Sequence, residues 1–143
     1  MFGISVSTDD PAYRVVVCDN ASIDVSLERI KQWANGELEA RYNNPQLSQL
    51  VSPAIGNPVA FRELTRAESE SQTANVDDRL VLIQNGKNLG FAGGCNVGLK
   101  FALSDTRCKY YWLLNNDTVV APAALSAMVS LMQQQPEDGI CGS

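Results

Sequence analysis

Short apolar runs that end in polar turns, each followed by a helical pattern, organise this chain. Arg14-Val15-Val16-Val17-Cys18 leads into Asp19-Asn20-Ala21-Ser22. Arg79-Leu80-Val81-Leu82-Ile83 leads into Gln84-Asn85-Gly86-Lys87-Asn88-Leu89-Gly90-Phe91-Ala92-Gly93-Gly94. Lys109-Tyr110-Tyr111-Trp112-Leu113-Leu114 leads into Asn115-Asn116-Asp117. Runs this short and β-rich, alternating with helices, predict parallel strands in βα units. The first helix is expected over residues 25–34, with Leu27, Ile30 and Ala34 on one face, Asp24 or Ser22 as its cap and Gly36 as its stop. A second spans residues 94–103, where Val97, Phe101 and Ala102 are spaced for burial and Gly98 permits close approach. A third opens at Pro122 and runs to about Gln133, with Leu125, Met128, Val129 and Met132 as its apolar stripe. Residues 139–141 read as the start of a further strand. The fold class is α/β, with at least three parallel strands and helices on both faces.

The N-terminus reads differently. Phe2, Ile4 and Val6 alternate with smaller residues, and Asp9-Asp10-Pro11 signals a turn. The connection is too short for a parallel crossover, so an edge strand hairpinned onto residues 14–18 is expected. Residues 36–78 are polar, contain Pro45, Pro53 and Pro58, and have little periodicity. They read as a flexible insertion in a single domain over residues 1–143, either a tolerated surface loop or a lid. A short strand over residues 58–64 is the exception within it.

Composition narrows the function. The chain has 143 residues, 45% of them hydrophobic, and a net charge of −5. That balance argues against a nucleic-acid partner and against an anionic membrane surface. Phosphate ligands remain open, because backbone N–H groups and a metal ion can hold them without Lys or Arg. The four cysteines show no C-x-x-C pair and the chain has no histidine, which removes Cys/His zinc sites and His-based triads. Reduced thiols and a cytoplasmic setting are expected, with Cys18 as a small core residue. No apolar run approaches the length of a membrane span.

Ligands of parallel sheets bind beyond the carboxyl ends of the strands, so the three turns are expected to share one crevice. Asp117, just after a strand, can ligate Mg²⁺ or Mn²⁺ while diphosphate oxygens and water take the other positions, or it can simply cap a turn. Gly90, Gly93 and Gly94 before a helix can cradle an anion on free N–H groups. Their spacing is neither a dinucleotide fingerprint nor a Walker loop. Asp19 can accept the imide N–H of a uracil or thymine ring, or form an Asx turn leading to the helix cap.

Taken in order, Val-Val-Cys-Asp19-Asn20-Ala-Ser-Ile-Asp24, Asn88-Leu-Gly90-Phe-Ala-Gly93-Gly94-Cys-Asn96-Val-Gly98 and Trp-Leu-Leu-Asn115-Asn116-Asp117 resemble glycosyltransferase family 2, in particular its bacterial rhamnosyltransferase-like branch. The resemblance implies a GT-A fold and inverting transfer from a UDP- or dTDP-sugar to a glycan or other acceptor, as in polysaccharide biosynthesis. It implies base contact by Asp19, with Asn20 in the same nucleotide site. It also implies a nucleotide-lining segment with Asn88, Gly90, Gly93, Gly94 and Asn96. Asn115-Asn116-Asp117 stands in place of the D-x-D motif, with Asp117 as the metal ligand, so ion affinity is expected to depend on bound donor. In the family a βα unit precedes residues matching Asp19 and the general base lies beyond those matching Asp117. The chain therefore reads as a donor-binding fragment, inactive alone, peripheral to a membrane at most in the full enzyme. An uncovered sheet edge at residues 14–18 would favour self-association, the competing expectation being that residues 2–7 fold back as an antiparallel strand and blunt that edge. The alternative is a non-catalytic nucleotide-binding or interaction domain.

Overall fold

A computed structural model describes residues 2–6, 13–39, 56, 58–71, 78–121 and 123–142. Pro122 and the prolines at 45 and 53 lie outside them. The elements are β1 (Phe2–Val6), β2 (Tyr13–Asp19), α1 (Ser26–Ala34), β3 (Phe61–Thr65), α2 (Arg66–Ser71), β4 (Leu80–Gln84), α3 (Gly90–Leu103), β5 (Tyr110–Leu114) and α4 (Ala124–Gln134). The chain divides into two compact units, the first made of Met1–Ala40 with Gly56–Asn116, the second of Arg41–Ile55 with Asp117–Ser143.

The first unit holds a five-stranded sheet in the order β3-β4-β2-β1-β5. β3, β4 and β2 are mutually parallel, whereas β1 is antiparallel to both β2 and β5. β5 therefore runs in the direction of β2. The alternation of side chains along β2 and β4 sorts two cores. Val16, Cys18, Val81 and Ile83 pack with Val97 and Phe101 of α3 on one face. Val17, Leu80 and Leu82 pack with Ala34, Leu27 and Ile30 of α1 on the other. Both faces are covered, as the near-continuous apolar runs of a parallel sheet require. Leu82 and Ile83 are fully buried, each contributing about 2 kcal/mol.

Several expectations need correction. The N-terminal strand does hairpin onto β2, but it sits inside the sheet, because its other side pairs with β5. β2 thus has β1 on one side and β4 on the other, and the open edge expected to drive self-association does not exist. Within residues 36–78 the short strand expected over residues 58–64 is present as β3 beside β4, α2 follows it directly, and residues 40–55 and 72–77 lie outside the described residues. Apolar Phe61 and Leu64, one on each face, supplied the signal, diluted by the polar residues around them. Residues 139–141 form no strand, having no neighbour to pair with among the described residues.

Helix α1 begins at Ser26, whose N–H donates to Asp24 Oδ1 at 2.9 Å, and ends before Gly36 at φ +80°. In the second unit, Leu125, Met128, Val129 and Met132 of α4 are half-buried, in keeping with the expected stripe.

Helix α3 is fastened to the start of β2 through a buried carboxylate. Asp105 Oδ2 accepts from Arg14 Nη1 at 3.0 Å and from Arg107 Nη2 at 2.8 Å, while its Oδ1 accepts from Arg107 Nε at 2.9 Å. Arg14 Nε also donates to the Asp78 carbonyl at 3.1 Å. The Arg107 hydrogen bonds, helped by Arg14, hold the Asp105 carboxyl well below the usual carboxylate range despite burial. A depressed carboxyl pKa stabilises the fold above the unfolded-state value of about 4 and is lost as pH falls below it. Asp105→Asn is expected to cost about 2 kcal/mol at neutral pH in chemical denaturation. It should also flatten the acid limb of the stability profile; an unchanged limb would assign acid sensitivity elsewhere.

Candidate functional site

The carboxyl ends of β2, β3, β4 and β5 lie along one edge of the sheet. Thr65, Gln84 and Asp19 are level across the parallel ladder. Leu114 faces Phe2, which also faces Val17, so β5 delivers Asn115 and Asn116 to this edge. Two strand spacings, about 10 Å, separate β5 from β2.

At the end of β2 the backbone turns sharply. Ala21 has φ +61°, a left-handed conformation that costs a non-glycine residue on the order of 1 kcal/mol. The Ser22 N–H donates to Asp19 Oδ1 at 3.2 Å and to Oδ2 at 3.3 Å, so the Asp19 carboxylate closes the turn by a bond to the third residue on, one further than an Asx turn. Its carboxylate remains half-exposed at the edge.

Asn20 reaches from this turn to the Gly-rich one, its Nδ2 donating to the Gly90 carbonyl at 3.0 Å. Asn85, directly after β4, joins them. Its N–H donates to the Asp19 carbonyl at 2.9 Å, and its Nδ2 donates to Asn20 Oδ1 at 2.7 Å. Asn85 is 5% exposed, and its Oδ1 has no hydrogen-bond partner among the described residues. Sequence reasoning passed over Asn85, because Asn-Gly reads first as a turn signal. The available clue was a polar residue two places beyond four apolar ones, on the far side of Gln84.

Helix α3 starts at Gly90, four residues earlier than the apolar spacing suggested. Gly90 has φ +69° with open space where a Cβ would stand, so glycine is required there by backbone conformation alone. Asn88 Oδ1 accepts the Gly90 N–H at 2.9 Å. Helix geometry then leaves the N–H groups of Phe91 and Ala92 without intrahelical acceptors. Those two amides, rather than those of Gly93 and Gly94, are the ones that helix geometry leaves free to meet an anion. Gly94 serves close packing instead, since a Cβ on it would lie 2.9 Å from Asn20 Nδ2. A Cβ on Gly93 would lie 2.7 Å from that of Leu89. Further along, a Cβ on Gly98 would come within 3.0 Å of Cys18 Sγ. Burial pushes the Cys18 thiol up to about 11, which suits a core residue and not a nucleophile. All four cysteines are free.

The structure therefore unites Asp19, Asn20, Asn85, Gly90 and Gly94, with Asn88 capping the adjoining helix. Asn96 is exposed on α3, and Asn115 and Asn116 are exposed beyond β5. No hydrogen bond among the described residues links these three to the cluster. Asp117 is exposed at a turn and opens the second unit. Among the described residues no group of three or more His, Cys, Asp or Glu forms a metal cage. Asp117 offers one exposed carboxylate, a hard oxygen donor of the kind a divalent ion would take together with phosphate and water.

Residues 64–143 match the family model described as Glycosyl transferase family 2. The chain belongs to that family. The matched segment runs from the end of β3 through the Gly-rich turn, α3, Asn115-Asn116-Asp117 and α4, so this mixed, mostly parallel sheet is a GT-A-like fold and its function is of the glycosyltransferase type. The Asp19 turn lies outside the match, yet Asn20 binds it to Gly90 inside the match. No curated protein and no solved structure matches the chain. Among the described residues no helix is long and apolar enough to cross a membrane.

Gly90→Ala is expected to destabilise the first unit by about 1–2 kcal/mol through φ alone, with Gly90→Asn milder because Asn tolerates the left-handed region. Thermal melts would check this. Equal losses for both substitutions would point to steric contact instead of backbone strain.

Proposed function

We propose that this glycosyltransferase-family chain binds a uridine or thymidine diphosphate sugar along the carboxyl edge of its sheet, for inverting transfer to a glycan or related acceptor. The observation that carries the reading is the hydrogen-bonded clamp from Asn85 through Asn20 to Gly90. It holds a carboxylate turn beside a helix start whose free N–H groups suit phosphate oxygens. Asp19 would accept the imide N–H of the base. Phe91 and Ala92 would donate to the diphosphate, with Lys87 in the same turn adding positive charge. Asn115 and Asn116 would border the donor from the β5 side. Asp117 would hold Mg²⁺ or Mn²⁺, which when bound neutralises the charge of the leaving diphosphate. The resemblance to rhamnosyltransferase-like bacterial enzymes supports a UDP- or dTDP-sugar donor and a cytoplasmic reaction.

Calorimetry with uridine and thymidine diphosphates should show weak binding that requires a divalent ion and vanishes with chelator. Asp117→Ala should remove the metal dependence, and Asp19→Ala should erode the preference for uracil or thymine over other bases. Tight binding indifferent to chelator would exclude the metal role of Asp117. Equal affinity for adenosine and uridine diphosphates would exclude the base role of Asp19.

A further inference from the structure

Asn85 is a polar side chain kept in a buried position at the cost of one unsatisfied acceptor, its Oδ1. Such an atom costs stability, so a network retained with it asks for a reason other than stability. The polarity of the network supplies one. The Gly90 carbonyl can only accept, which forces Asn20 to present its Nδ2 there, 3.0 Å away. Asn20 then presents Oδ1 to Asn85, and Asn85 must donate through Nδ2, at 2.7 Å. The hydrogen bonds run in one direction only, from Asn85 through Asn20 to Gly90. The Asn85 backbone N–H also holds the Asp19 carbonyl.

We infer that Asn85 is the positioning residue of the nucleotide site. By donating to Asn20 it fixes the orientation of that amide, and so sets the Asp19 carboxylate in register with the first turn of α3. Asn85 acts through Asn20 and does not itself touch the nucleotide. The inference rests on the nucleotide reading given above, and adds a residue to it.

The test compares the wild-type chain with Asn85→Ala, Asn20→Ala, the double variant and Asn85→Asp. Uridine diphosphate with Mg²⁺ is titrated into each, and backbone amide exchange is followed at Gly93 and Gly94. Each single alanine should weaken binding about tenfold, and the double variant should lose no more than either alone, because the second change removes a link already broken. Asn85→Asp keeps the volume but offers an acceptor to Asn20, turning its Nδ2 away from Gly90. It should match Asn85→Ala in affinity and in faster exchange at Gly93 and Gly94. Arg107→Ala, at the other end of α3, should lower the melting temperature while leaving affinity unchanged.

Single variants that bind like the wild type, or a multiplicative loss of about a hundredfold in the double variant, would overturn the inference. So would an equal loss of affinity in Arg107→Ala, which would mean that general loosening is being read. If the wild-type chain binds no nucleotide, the reading of the site fails separately. The positioning claim is then decided by exchange, and unchanged exchange at Gly93 and Gly94 in Asn85→Asp overturns it.

Discussion

Everything at the sheet edge depends on how closely α3 lies on β2. The helix runs back along the strand, tied near its start by Asn20 and near its end by Asp105 and Arg14. Between these ties, Gly94 faces Asn20 and Gly98 faces Cys18 with no room for a larger side chain. The two polar ties are unlike in kind. One is a charge-assisted, buried ion pair that resists motion strongly; the other is a neutral amide contact at the rim, worth less on its own. The arrangement anchors the helix at the end remote from the site and leaves the site end to finer adjustment.

That asymmetry bears on how a phosphate would be met. The free N–H groups of Phe91 and Ala92 have directions fixed by the helix axis, and the axis is fixed by packing against Val16, Cys18, Val81 and Ile83. Preorganised donors of this sort need little rearrangement when an anion arrives. The strained turn at Ala21 sits opposite, held by Asp19 and Asn20. Backbone strain persists only where the surroundings over-determine it, and here the exits of β2 and β4 and the start of α3 do so.

Much of this was legible in the sequence, for a simple reason. Buried parallel strands read as unbroken apolar runs, so β2 and β4 stand out, as does the apolar run of β5, which pairs only with antiparallel β1. Asp19, Asn88 and Gly90 were recognisable because turn chemistry is local. What escaped was whatever depends on partners distant in the chain. β3 is legible as a short run ending near Leu64, but its place in the sheet beside β4 is not. The start of α3 was placed at Gly94 because glycine spacing resembles a turn, whereas packing lets the helix run through Gly93 and Gly94. Asn85 escaped because its meaning lies in Asn20, 65 residues away.

The inward position of β1 has a consequence for the order of assembly. Among the described strands β5 has a single neighbour, β1, so its place in the sheet depends on β1 being paired with β2. The β1–β2 hairpin is local and closes early, whereas the β1–β5 pairing spans most of the first unit and carries the larger loop-closure entropy. Five residues at the amino terminus thus act as the adaptor through which Asn115 and Asn116 reach the edge that β2 and β4 have already formed. Their antiparallel direction lets a short connection do this, since a hairpin needs only a turn where a parallel strand would need a whole crossover.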